Sequence, residues 1–235
     1  MRKLALAAVL AGLAAPAMAE YTETRELSVD AIGAELLELE TGAGSLIVEG
    51  VAGFDTVEVD ARIVVDVISD SKGKKLAEEK AKLELDRSGG KIRLTADFEN
   101  GNWDWGSSGR VDVVVRAPAG LELAIYDGAG SMRVVGFIAD VKIDDGSGSI
   151  VVDTVGALNL EDGSGSIKVK NASGDVYIND GSGSITVDSV DGTVTIDDGS
   201  GGIDVSDVSE DLIIVEDGSG SVNFNDVRGK VEQDG

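Results

Sequence analysis

Six aspartates recur at a near-constant interval, Asp127, Asp145, Asp162, Asp180, Asp198 and Asp217, and each is followed by glycine in a block of the form Asp-Gly-Ser-Gly or Asp-Gly-Ala-Gly. A file of carboxylates at fixed spacing is one way to assemble hard oxygen ligands, and the ion it suits is calcium, which takes six to eight oxygens in irregular geometry. The same residues have a second chemistry. Aspartate ahead of glycine accepts the amide hydrogens of its own turn. Two unit charges about 4.8 Å apart repel by roughly 1 kcal/mol in water and by about 3 to 4 kcal/mol at an effective dielectric near 20. A charge-assisted hydrogen bond to a turn amide offsets this by about 1.5 to 3 kcal/mol. The file therefore stands without a metal, although a bound cation would relieve it. Known calcium rolls place the acid after their glycines, as Gly-Gly-x-Gly-x-Asp, whereas here it comes before them. With Asp144, Glu161, Asn179, Asp197 and Glu216 at the preceding positions, the file is expected on a solvated acidic surface.

A second constellation is aromatic. The stretch ENGNWDWGSSG, residues 99–109, holds both tryptophans, Trp103 and Trp105. Tryptophan beside Asn and Asp suits stacking on a sugar ring; the alternative is a loop folded over an open end of the strand stack, where bare edges invite pairing. The 235 residues contain no cysteine and no histidine. That excludes disulfides, thiolate metal sites, and zinc sites and His-based triads in their usual forms. General acid–base catalysis needs two groups whose environments push their pKa values apart, and a row of near-equivalent aspartates does the reverse. No catalytic residue is assigned, and a polysaccharide-acting enzyme is the weakest of the function classes considered.

These residues are positioned by a repeat. The glycine of the Asp-Gly pair recurs at Gly128, Gly146, Gly163, Gly181, Gly199, Gly218 and Gly235, in steps of 17 to 19 residues. So regular a period means stacked supersecondary units. Each repeat holds two short runs of period-two alternation, such as Ile185-Thr186-Val187 and Val194-Thr195-Ile196, the mark of half-buried strands. Aligned blocks give columns: Met132, Ile150, Ile167, Ile185, Ile203, Val222; then Val134, Val152, Val169, Val187, Val205, Phe224; then Val155, Ala172, Val190, Val208, Val227. The other strand supplies Leu123, Val141, Leu158, Val176, Val194, Ile213 and Ile125, Ile143, Leu160, Ile178, Ile196, Val215. The fold class is all-β: a single-stranded β-solenoid with about 18 residues and two strands per coil. Its corners need positive φ, which Gly146, Gly148 and their equivalents are expected to supply.

Residues 1–19 read as a signal peptide, with a basic start, an apolar run and Ala17-Met18-Ala19 before the cleavage point. The mature chain is then expected in the periplasm or secreted, with no membrane span. Residues 20–59 hold the first strands and first coil, 60–120 a β-rich insertion with a short helix near Lys74–Lys82 and the Trp loop, and 121–235 the regular coils. The 44 acidic residues against 20 basic ones repel nucleic acid and anionic lipid and attract cations or basic partners. Charged Lys230 and Glu232 flank the inward Val231 on the last strand, which discourages end-to-end stacking and favours a monomer.

An early block, LELETGAGSLIVEGV at residues 37–51, lines up with VKIDDGSGSIVVDTV at 141–155, with Thr41 in place of the aspartate. Together with Val115-Arg116-Ala117-Pro118-Ala119-Gly120-Leu121 and the later Asp-Gly-Ser-Gly-Ser-Ile-x-Val blocks, it resembles the "bacterial putative adhesin domain", a family of exported β-strand-repeat proteins, over nearly the whole mature chain. The resemblance implies surface attachment and brings no catalytic or ligand-binding residues. The reading that follows is a non-enzymatic exported envelope protein, an adhesin-like scaffold offering polar, acidic faces to an envelope or surface protein or a glycan. The alternative is a calcium-binding acidic β-roll.

Overall fold

The computed structural model describes residues 19–67, 69–99 and 108–233. Residues 1–18 of the expected signal peptide, Trp103, Trp105 and Gly235 lie outside the described residues. The N-terminal part runs β1 (Ala19–Asp30), β2 (Leu36–Val51), β3 (Thr56–Val67), α1 (Asp70–Lys80), β4 (Ala81–Ser88), β5 (Lys91–Phe98) and β6 (Ser108–Pro118). Then come β7 (Glu122–Val135) and the short pairs β8 (Val141–Asp145) and β9 (Gly148–Val155), β10 (Leu158–Asp162) and β11 (Gly165–Ala172), β12 (Val176–Asp180) and β13 (Gly183–Val190). The last are β14 (Val194–Asp198) and β15 (Gly201–Val208), β16 (Leu212–Glu216) and β17 (Gly220–Val227), and β18 (Val231–Gln233).

The chain winds as the expected solenoid, with like residues over like. Ile150, Ile167 and Ile185 are direct partners on adjacent strands, as are Val152, Val169 and Val187, and all six are buried. The first face runs β4, β5, β2, β7, β8, β10, β12, β14, β16, β18. The second runs β1, β3, β6, β2, β7, β9, β11, β13, β15, β17. Strands β2 and β7 bend through a glycine corner and serve both faces. β-Branched side chains fill the space between the faces, where stacked twins pack on a pleated surface. No helix of the described residues is long and apolar enough to cross a membrane.

Four local features differ from the sequence expectations. The aspartates of the first-face strands point inward, because strand alternation carries one step past the apolar pair: Val141, Ile143 and Asp145 share one side, and Lys142 and Asp144 the other. Along the last full coil, Leu212 and Ile214 enter the core while Val215 is exposed. The 19-residue step there is absorbed by a register shift after Ile196, so Ile213 and Val215 are not the core residues. Gly146 does not have positive φ; Gly148 does, at 147°. What Gly146 provides is the absence of a Cβ, which would fall 2.5 Å from the Gly128 carbonyl oxygen of the coil below. Finally, part of the 60–120 stretch belongs to the stack. β5 pairs in parallel with the first half of β2, and β6 with its second half. β5 and β6 thereby lie beneath β2, one against each half.

The spacing of three between Val152 and Val155 also has a local cause. Thr154, Asn171, Ser189, Asp207 and Asp226 all adopt left-handed backbone, φ 53° to 62°. One such residue per coil breaks the alternation and returns the next side chain to the interior. At the N-terminal end, β1 and β4 are antiparallel edges, and α1 lies over them with Leu76 and Ala77 in the core. Gly73 lets α1 approach: a Cβ there would meet Tyr21 at 2.3 Å. A helix laid over strand ends removes a template for pairing with other chains.

Candidate functional site

The aspartate file occupies the corner between the faces. Asp127, Asp145, Asp162, Asp180 and Asp198 are 0 to 9% exposed, and successive members are in-register partners. The expectation of a solvated acidic row is therefore corrected for these five; only Asp217, on the last full coil, is half-exposed, where it accepts a hydrogen bond from Gln233 Nε2 at 2.9 Å. In three of the carboxyls one oxygen closes its own turn: the Ser164, Ser182 and Ser200 amides donate to Oδ1 of Asp162, Asp180 and Asp198 at 3.2, 3.1 and 3.1 Å. Where β2 carries Thr41 in place of an acid, its hydroxyl donates to Asp127 Oδ1 at 2.5 Å. The remaining Oδ2 atoms of Asp127, Asp162, Asp180 and Asp198, and both oxygens of Asp145, are buried without a hydrogen-bond partner.

Burial dominates the electrostatics here. It raises the pKa of all five carboxyls. Asp145 is pushed up to about 7 by burial, then by the charges of Asp127 and Asp162, with the amides of Ser147 and Gly146 offsetting part. Asp180 is pushed up to about 6 by burial, with Asp162 and Asp198 adding to it against the Ser182 amide. No group of three or more acidic side chains among the described residues is arranged to hold a metal ion. The carboxyls are stacked singly, each turned into its own corner.

A second feature lies on the first face, which the sequence marked only as outward and polar. A groove of about 580 Å³ runs across β7, β8, β10, β12 and β14. Along it, Lys142, Asn159, Tyr177 and Thr195 stand in direct register, one per coil. None of the four side chains is bonded to another described residue. Tyr177 is 37% exposed, and Asp140, Asp175 and Thr193 border the row. Asp175 Oδ1 accepts the Thr193 amide at 2.8 Å, which fixes that border. Asn159 and Thr195 are recognisable in the sequence as outward polar positions, while Lys142 and Tyr177 continue their row only once the register is known. The two tryptophans fall outside the described residues, so their relation to the groove is not part of its geometry.

A family model described as Toastrack DUF4097 matches residues 55–233. No curated protein matches. Solved structures with similarity include a "putative cell adhesion protein" from Clostridium sporogenes, 14% identical, TM-score 0.38, covering 90% of this chain and 98% of that one. A "putative lipid binding protein" from Parabacteroides distasonis is 14% identical, TM-score 0.44, with 92% and 95% covered. A "putative adhesin" from Bacteroides fragilis is 13% identical, TM-score 0.40, with 91% and 97% covered.

Proposed function

The chain belongs to the Toastrack family, and on that premise we propose that it is a non-enzymatic, exported, adhesin-like scaffold whose first-face groove binds an extended glycan. The observation that carries this reading is the row Lys142, Asn159, Tyr177, Thr195, four unpaired side chains of complementary chemistry at one per coil. An exposed tyrosine ring offers the apolar surface on which the C–H face of a sugar stacks. The amide, hydroxyl and ammonium supply donors and acceptors for ring hydroxyls, and Asp140 and Asp175 at the border accept more. Coils rise by about 4.8 Å, comparable with the advance of an extended polysaccharide per sugar unit, so neighbouring units would meet neighbouring rungs. Lys142 places positive charge in the row of an otherwise strongly acidic protein, which favours a glycan bearing carboxylate groups. Because the row stands on strands with fixed register, little order is lost on binding.

The non-enzymatic reading is supported by the position of the perturbed carboxyls. Those held far from the ordinary carboxylate range are sealed inside the corner, out of reach of a substrate in the groove. Titration calorimetry with neutral and uronic-acid polysaccharides tests the proposal. Tyr177→Ala and Asn159→Ala are each expected to weaken binding by about tenfold or more while melting within a degree or two of the parent. Binding that survives both substitutions, or the appearance of reducing ends or unsaturated products, overturns it.

A further inference from the structure

Five carboxyl groups lie inside the solenoid, and six of their oxygens have no partner. In-register stacking sets neighbouring rungs about 4.8 Å apart, and this continues without a break from Asp127 through Asp145, Asp162 and Asp180 to Asp198. No lysine or arginine among the described residues pairs with any rung. The other groups that adjoin the file in sequence or register offer no positive charge. From the first-face strands these are Asp144, Glu161 and Asp197, each next to a rung and pointing outward, and from the last full coil Asp217. From β2 it is the neutral Thr41. From the second face they are Ser149, Ser166, Ser184 and Gly202 beyond the turn and the inward Ile150, Ile167, Ile185 and Ile203.

A fully ionised file would leave every orphaned oxygen desolvated beside a like charge, which is the costliest arrangement a buried polar group can have. One proton on every second rung reduces both problems, since two protons give two hydrogen bonds that take up four of the six orphaned oxygens. A neutral carboxyl donates its O–H to the carboxylate of the next coil, and it separates two charges by twice the rise. We propose that Asp127, Asp145, Asp162, Asp180 and Asp198 form a proton-sharing file of alternating carboxyl and carboxylate groups, which the folded solenoid retains near neutral pH and loses to solvent as it is made alkaline. Asp145 and Asp180, the two rungs driven highest, to about 7 and about 6, are the ones whose protonation separates Asp127, Asp162 and Asp198.

The sign of the consequence follows. The folded state holds protons that the unfolded chain, with aspartates near 3.9, has released. The stabilisation is complete below about pH 4 and is lost as pH rises through about 6 and about 7. With neither histidine nor cysteine in the chain, no other side chain with an ordinary pKa titrates between about pH 5.5 and 8. Apart from the terminal α-amino group, whose ordinary pKa is about 7.7 to 8, a pH dependence of stability in that window therefore reports the file.

The test is thermal unfolding of the full mature chain at constant ionic strength, with chelator, from pH 5.5 to 8. The melting temperature is expected to fall by roughly 5 to 10 °C over the window. The Asp145→Asn, Asp180→Asn double variant keeps a side-chain oxygen and a donor toward the next rung at each position, including the Oδ1 that closes the turn at Asp180, and it should melt at the same temperature throughout. A flat profile for the parent chain, or an undiminished slope in the variant, overturns the proposal. Infrared spectroscopy of the unmodified chain in D₂O at pH 6.5 gives a readout independent of substitution. It should show the carbonyl stretch of a protonated carboxylic acid that disappears on unfolding, and its absence from the folded protein overturns the proposal. Calcium chloride added at pH 6.5 should leave that band in place. If calcium abolishes the band and raises the melting temperature reversibly, the file holds a cation in place of protons, and the proposal fails.

Discussion

Replacing Gly165 by alanine tests how closely the coils are stacked. Gly165 has φ 146°, and a Cβ built there would lie 1.5 Å from the carbonyl oxygen of Gly148 and 2.6 Å from its carbon. A Cβ needs at least about 3 Å, so the two backbones would have to part by more than an ångström at a corner where coils rise by about 4.8 Å. That separation breaks the bonds linking these two coils at the corner, Gly148 N–H to Ser164 O at 2.8 Å and Gly163 N–H to Asp145 O at 3.0 Å. Two such bonds contribute about 1 kcal/mol each, and holding an L-residue in this backbone region costs a further 1 to 3 kcal/mol or so. The expected loss is roughly 3 to 5 kcal/mol, which for a domain of this size lowers the melting temperature by about 6 to 20 °C. Circular dichroism melts measure it, with Ser166→Ala, an exposed neighbour, as the control expected to change by less than about 0.5 kcal/mol. If Gly165→Ala melts within a degree or two of the parent, the glycines serve only turn flexibility, and the close backbone stacking argued here is wrong.

Further substitutions probe other layers of the fold. Thr154 carries a β-branched side chain at φ 57°, so Thr154→Gly should stabilise by about 1 kcal/mol in chemical denaturation; a loss of stability there would show the threonine hydroxyl bond to Asp153 to be worth more than the strain. Ile167→Ala opens a cavity between Ile150 and Ile185 and should cost about 2 to 5 kcal/mol. Glu38 is buried and ion-paired with Lys91 and with Arg93 Nη2, the latter at 2.6 Å. The Lys91 hydrogen bond and then Arg93 outweigh burial and hold its pKa below the ordinary value. That stabilisation is present above about pH 4.3 and fades as pH falls through the depressed pKa. Glu38→Gln should therefore lower stability at pH 7 by about 1 to 2 kcal/mol, a range kept small because both cations remain partly solvated. The deficit should shrink in strong acid, opposite in sign to the trend of the aspartate file.

What was legible in the sequence was whatever repeats. The columns headed by Ile150, Val152 and Val155 could be aligned by eye, and the structure stacks them as aligned. The same alignment identifies the aspartates, but their inward direction follows only when the alternation is carried past the apolar residues. Val141 and Ile143 already imply that Asp145 faces inward. The 19-residue step before Gly218 hid a register shift, which moved the core from Ile213 and Val215 to Leu212 and Ile214. The placement of β2 between β6 and β7 on the second face had no sequence signal. Strand β3 leaves β2 and pairs antiparallel with β6, and α1 and β4 then interrupt the period before β5 resumes it. Strand β1 lacks the glycine signature altogether; it pairs with β3 and is covered by α1.

The corner motif answers two demands that are separable in principle. Turn closure asks for a side-chain oxygen two residues ahead of an amide, which Asn would provide as well as Asp. Close stacking asks for glycine at Gly146 and Gly148 and their equivalents, whatever precedes them. Asparagine occurs one position away, at Asn179, on the outward side of the same strand, yet each of the five buried rungs is aspartate. The difference between the two side chains at such a rung is a titratable proton, since their size and turn-closing oxygen are alike. Outside, the opposite pattern holds: Lys142, Asn159, Tyr177 and Thr195 differ at every coil while the columns behind them stay aliphatic. On the proposed function, stability resides in the invariant interior and recognition in the variable row, so substitutions in the groove should change binding without moving the melting temperature, and substitutions in the file should do the reverse.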